Sequence, residues 1–220
     1  QAITPIAFCD QTMKVPEYFF NRQDESNDAN FYVEPRFVTH IDDATIDALT
    51  QYYRETLKPE HQVLDLMSSW ISHLPEEESY KHITGLGMNQ AELDGNPRLD
   101  ERLVHNLNNE PTLPFHSESF DAVLIAVSVQ YLIQPLSIFK EVARVLRPNG
   151  FFIVAMSHRL FPTKAIYAFH TMSATDRVNF VSHYMQQTGQ MDRVEFLDRS
   201  PASADPLWIV QGRRFDRDNN

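Results

Sequence analysis

From residue 62 onward, short apolar runs alternate with polar or amphipathic stretches. Gln62 to Met67, His82 to Leu86, Leu103 to Leu107, Phe120 to Ser128 and Phe151 to Met156 read as strands, mostly apolar without strict alternation. That pattern belongs to strands covered on both faces of a parallel sheet. Before them, Ile46, Leu49, Tyr53 and Leu57 recur three to four apart, after Asp42-Asp43 and before Pro59. This is a capped amphipathic helix. A second runs from Pro135 to Leu146, with Leu136, Phe139, Val142, Ala143 and Leu146 on one face and Arg144 and Arg147 toward its carboxyl end, where the helix dipole favours cations. Pro148-Asn-Gly150 stops it. Helical segments around Thr163 to Met172 and Thr175 to Gln187 follow, then closing strands at Arg193 to Leu197 and Leu207 to Gln211.

Alternating strands and helices without repeats or a long linker predict one doubly wound α/β domain, Rossmann-like, with helices on both faces. Ligands of such sheets sit outside the carboxyl ends of the strands, at the switch in strand order. Function is therefore sought in the loops after Leu66, Leu86, Leu107, Val127 and Met156. Residues 1–41 carry a polar run, 21–30, between the aromatic clusters Tyr18-Phe-Phe20 and Phe31-Tyr32, and are expected to form an N-terminal capping arm. The α/β domain is then 42–215, with a flexible tail at 216–220.

The chain has 220 residues, enough for a proper core, and 42% are hydrophobic. Its net charge of -11 repels phosphates and anionic membrane surfaces, which argues against a nucleic-acid or membrane partner. One cysteine, Cys9, permits no intramolecular disulfide and fits a cytoplasmic setting. No apolar run approaches membrane-spanning length and no basic-then-apolar start marks a signal peptide; the first residue is Gln, which leaves a processed or trimmed start open. A monomer or a homodimer is equally compatible. His73, His82, His105 and His116 show no metal-ligand spacing, so no metal is expected. Glu76-Glu-Glu78 reads as a solvated first helical turn.

Three segments carry a resemblance: Val63-Leu-Asp-Leu66, Leu113-Pro-Phe115 through Phe120-Asp121, and Phe139-Lys-Glu-Val-Ala-Arg-Val-Leu-Arg-Pro-Asn-Gly150. Over about residues 60–157 the chain resembles class I S-adenosylmethionine-dependent methyltransferases, most of all the small-molecule branch called methyltransferase type 11. The resemblance implies a seven-stranded sheet with an antiparallel last pair, S-adenosyl-L-methionine as cofactor and a small-molecule acceptor. It assigns Asp65 to the organisation of the cofactor loop. Met67, Ser69 and Ile71 stand where the family has glycines, and Gly87 where an acid grips the ribose, so the cofactor loop departs from the pattern. Asn89 can bond a ribose hydroxyl instead. Asn106 or Asn108 can accept from the adenine amino group, with Met88 and Leu107 against its faces.

Ser68 and Ser69 offer hydroxyls and amides to the methionyl tail, and Trp70 either closes the site or gives the positive sulfur a cation–π surface; Trp70 and Ile71 can instead be core. From the arm, Tyr32, Arg36 and His40 reach toward the cofactor loop. Arg36 suits the methionyl carboxylate, or a surface pair with Glu34. Gln130 and Tyr131 face the acceptor, with Tyr131 orienting a proton or the methyl group. His158 is the candidate general base, with Arg159 and Lys164 for an acidic substrate group; the alternative is a structural histidine among solvated cations. Methyl transfer is one reading, and a methyltransferase fold that binds a ligand without turnover is the other. A nicotinamide-dependent dehydrogenase is disfavoured by the absence of Gly-x-Gly-x-x-Gly after the first strand.

Overall fold

The structure is a computed structural model that describes the backbone of residues 4–5 and all of residues 15–215. Cys9 and the 216–220 tail lie outside them. In chain order the elements are β1 (Thr4–Pro5), a 3₁₀ turn (Glu17–Phe20), α1 (Asp28–Phe31), α2 (Asp43–Thr56), β2 (Gln62–Ser68), β3 (His82–Gly87), α3 (Gln90–Asp94), β4 (Glu101–Val104), β5 (Phe120–Ala126), α4 (Pro135–Val145), β6 (Leu146–Met156), α5 (Tyr167–Thr171), α6 (Ala174–Gln187), β7 (Met191–Asp198) and β8 (Trp208–Arg214).

One sheet has the order β1-β7-β8-β6-β5-β2-β3-β4. β4, β3, β2, β5 and β6 pair in parallel, β8 pairs antiparallel to β6, and β7 pairs antiparallel to β8. Seven of the strands make the expected mixed sheet. The two residues of β1 add an eighth at its edge, antiparallel to β7. The order switches between β2 and β5: from β2 the chain moves outward to β3 and β4, then returns to β5 and moves the other way. Each central strand is apolar because both its faces are covered. Leu64, Leu66, Val123 and Ile125 face a core shared with α4 and α6, whereas Val63, Ala122 and Leu124 face Leu49, Tyr52 and Tyr53 of α2. Asp42 caps α2, accepting from the Thr45 amide at 2.9 Å, and such a cap stabilises by about 1 kcal/mol.

Three local expectations are corrected. No helix follows β2. Residues 69–81 contain none, and Glu76 and Glu77 stand in an exposed turn, because the polar side chains before them are drawn into hydrogen bonds with the sheet end. β4 begins at Glu101 rather than Leu103, since its pairing with β3 runs from Thr84↔Glu101 to Gly87↔Val104. β6 starts at Leu146, directly after α4 ends at Val145, so Pro148-Asn-Gly150 lies inside β6 rather than stopping the helix, and Leu146 already pairs with Phe120 before a bulge.

Candidate active site

At the switch point a cleft opens between the loop after β2, the loops after β3 and β4, the end of β5 and the arm of residues 22–41. Its empty space, open mouth included, is about 1220 Å³.

Asp65, buried in β2, fixes one wall. Its Oδ2 accepts from Ser68 Oγ at 2.5 Å and Ser72 Oγ at 2.6 Å, and Asn96 Nδ2 donates to Ser72 Oγ and to the Ser69 carbonyl. Burial raises the Asp65 carboxyl to about 6, against the two serine hydrogen bonds. These bonds replace a helix as the support of the loop. Met67 lies in the left-handed region, φ 60°, at a bulge between Leu66 and Ser68. Met67 therefore does what a glycine does elsewhere, at a conformational cost of order 1–3 kcal/mol that the network absorbs. The bulge also explains Gly87. A Cβ at residue 87 would lie 2.2 Å from the Ser68 carbonyl oxygen, so no side chain, acidic or otherwise, fits at that strand end.

A carboxylate nevertheless reaches the cleft from α3. Glu92 is buried; its Oε2 accepts from Ser69 Oγ at 2.6 Å and its Oε1 from the Arg36 amide at 2.7 Å. It joins cofactor loop and arm, and nothing in the local sequence pattern marks it. Met88, Asn106, Leu107 and Asn108 line the same side. Asn108 is already engaged, donating to Asp28 Oδ2 at 2.8 Å and to the Tyr131 carbonyl at 2.9 Å.

The arm roofs the cleft. Lys164 is fully buried and reaches Asp24 Oδ2 at 3.0 Å, Asp28 Oδ1 at 3.2 Å and the Ser26 carbonyl at 2.8 Å. Arg22 donates to Asp28 Oδ1 at 2.6 Å. Lys164 thus lines the cleft but its charge is spent on the arm. Arg36 lies over the Phe31 ring at 4.3 Å and donates to the Phe31 carbonyl; among the described residues no carboxylate stands within ion-pairing distance of it. Tyr32 and His40 line the cleft beside it. Trp70 lines it too, its Nε1 donating to the Val38 carbonyl at 3.0 Å. Tyr131 stacks on Phe161 at 5.7 Å and its hydroxyl accepts from the Phe161 amide, while burial raises its phenol above the ordinary value.

Four expected site residues fall outside the cleft lining. His158 Nε2 stands 3.0 Å from Asp205 Oδ1, and Arg159 pairs with the same buried carboxylate. Asp205 also accepts from the Asp42 amide and donates its own amide to Asp42 Oδ2, so this cluster ties the loop after β6 to the start of α2. Gln130 is buried and donates to the Val127 and Arg159 carbonyls. Asn89 caps α3 and spends its amide on the Tyr32 and Val33 carbonyls. Arg22, Asp28, His73, Glu92, Ser128 and Phe161 line the cleft instead; the long sequence separations of their contacts hid them.

A sheet of this order with its cleft at the switch point is a Rossmann-like α/β fold, and methyltransferase structures share it. Residues 68–154 match the family model described as Methyltransferase domain. Part of it is 36% identical over 55 residues to the biotin biosynthesis bifunctional protein BioHC of Teredinibacter turnerae, covering 25% of this chain and 10% of that protein; the chain matches only about a tenth of that curated relative's length. Similar solved structures include phosphoethanolamine N-methyltransferase 2 of Haemonchus contortus in complex with S-adenosyl-L-methionine (TM-score 0.58, 12% identity, 77% of this chain and 52% of that one). The [4+2]-cyclase SpnF (0.57, 15%, 77% and 81%) and an S-adenosylmethionine-dependent methyltransferase of Mesorhizobium loti (0.53, 16%, 77% and 100%) share the fold. At these identities the likeness is one of fold.

Proposed function

We propose that the chain binds S-adenosylmethionine in this cleft and transfers its methyl group to a small-molecule acceptor. The observation that carries the reading is the cleft at the switch point, where the Ser68–Ile71 loop and the Asn106–Asn108 loop face each other beneath an arm that supplies Arg36. The residues fit the cofactor. Arg36, a cation without a carboxylate partner among the described residues, suits a methionyl carboxylate. Glu92 brings to the ribose side the carboxylate that Gly87 lacks; each of its oxygens accepts one hydrogen bond and has a lone pair to spare. Asn106 and Leu107 are placed for the adenine edge and face.

When bound, S-adenosylmethionine supplies an electrophilic methyl group on a positively charged sulfur. The chain's own contribution is positional: the Asp65 network holds the loop, Tyr131 and Phe161 form a rigid wall, and the arm excludes water. His158, engaged with Asp205 outside the cleft, has no part in that contribution. A small acceptor is supported by the roofed cleft, and the net charge of -11 works against a nucleic acid.

Calorimetric titration with S-adenosylmethionine and S-adenosylhomocysteine tests the reading. Saturable heat is expected with both, weakened about tenfold or more in Arg36→Ala. A folded protein that gives no heat with either at millimolar concentration excludes it.

A further inference from the structure

The polar groups of the cleft can be sorted by whether they are already engaged. Its three cations are Arg22, Arg36 and Lys164. The first and last are matched by Asp28 and Asp24, and Arg36 is assigned above to the cofactor. Its buried carboxylates are equally engaged: Asp65 by two serines, Glu92 by Ser69 and the Arg36 amide, Asp28 by Arg22, Lys164 and Asn108. Arg22 Nε has no hydrogen bond, but the guanidinium charge is matched by Asp28 at 2.6 Å.

Two neutral groups in the lining have no hydrogen-bond partner among the described residues although their atoms are buried: His73 Nδ1 and Ser128 Oγ. His73 sits on strained backbone, and Ser128 directly follows a strained residue. His73 itself has φ 57°, and Val127, which precedes Ser128 at the end of β5, has φ 52°, a rare conformation for a β-branched residue. His73 is also held from two sides. Its carbonyl accepts from Thr50 Oγ1 at 2.9 Å, and Ser72 before it is bound to Asp65 and Asn96. Desolvation, with His40 adding to it, lowers its imidazole to about 4, so the ring is neutral at physiological pH. Leaving such groups buried and unpaired is unfavourable, and a ligand supplying the missing bonds removes that cost. Around them Trp70, Ile71, Leu132, Tyr131 and Phe161 give the cleft aromatic and aliphatic walls.

We infer that the acceptor is a neutral hydroxyl compound with an apolar body, its hydroxyl hydrogen-bonded by His73 Nδ1 and Ser128 Oγ. An acceptor carrying a net charge finds no free counter-charge once Arg36 is used. This rests on the function proposed above and names its substrate class.

The test uses the full chain saturated with S-adenosylhomocysteine, whose binding is verified first; failure at that step counts against the function, not against the acceptor class. Phenol, anisole, benzoate and benzylamine are then titrated, with the His73 imidazole nitrogens followed by nuclear magnetic resonance. Phenol is expected to saturate and to shift the His73 Nδ1 resonance, binding at least fivefold tighter than the other three. His73→Gly, which accepts the positive φ without strain, is expected to abolish that preference, as is Ser128→Ala in part. His73→Asn, which also tolerates this backbone and keeps a polar atom near the Nδ1 position, is expected to retain more of it, and all three variants should bind S-adenosylhomocysteine within about twofold of the parent. The inference is overturned if phenol leaves the His73 resonance unmoved, if benzoate or benzylamine binds as well as phenol, or if His73→Gly keeps the preference.

Discussion

Gly87 shows how a single residue can look like a defect in sequence and be a requirement in structure. The resemblance expects an acid there, yet the Met67 bulge brings the Ser68 carbonyl to within 2.2 Å of where a Cβ would be. Restoring the acid as Gly87→Asp is therefore expected to destabilise the fold by about 1–3 kcal/mol and to weaken S-adenosylhomocysteine binding, measured by chemical denaturation and calorimetry. Tighter binding at unchanged stability would mean that Gly87 is a lost acid after all. Asp65 makes a pH-dependent prediction. Its folded-state carboxyl stands near 6 against 3.8, so between those values the native protein holds the proton more strongly than the unfolded chain. Its ionised form costs stability above pH 6, on the order of 3 kcal/mol, and that cost shrinks as pH falls from about 6 toward 3.8. Asp65→Asn, whose amide oxygen can still accept from Ser68 and Ser72, is expected to flatten this part of the stability profile; parallel profiles for parent and variant would refute the assignment.

Elements were legible where their signal was local. α2 and α4 follow from periodicity and caps, and β2, β3 and β5 from buried apolar runs, because both properties are written within a dozen neighbouring residues. The absent helix after β2 was not legible: Glu76-Glu-Glu78 has the composition of a first turn, and only the distant partners of Ser69 and Ser72 show why the segment stays open. The same holds for the site. Asp65, Ser68, Met88 and Asn106 line the cleft, as their place at strand ends leads one to expect, whereas Glu92 acquires its position through Arg36, 56 residues away, and Asp28 through Asn108, 80 away. His158 lies outside the lining, paired with Asp205. At this scale the arm's hold is Lys164. Lys164→Met leaves Asp24 and Asp28 without that cation and is expected to cost about 3–5 kcal/mol, with faster hydrogen exchange in residues 22–31. An unchanged arm would show that Phe31, Tyr32 and Arg36 suffice to hold it.

At the scale of the molecule, one sheet, two apolar cores and a roof of chain bring together groups from six segments around this cleft. None of those segments carries a motif sufficient on its own, and the glycine-free loop keeps its shape because the sheet end and α3 hold it. The central claim is that this cleft is where S-adenosylmethionine binds. Hydrogen exchange of the whole chain with and without saturating S-adenosylhomocysteine tests it most directly. Slowed exchange is expected in residues 67–73, 87–92, 105–108 and 32–41 together, with a second groove, lined by Tyr18, Tyr167 and His170, unchanged. Protection confined to that second groove, or none anywhere in a folded protein at saturating ligand, would contradict it.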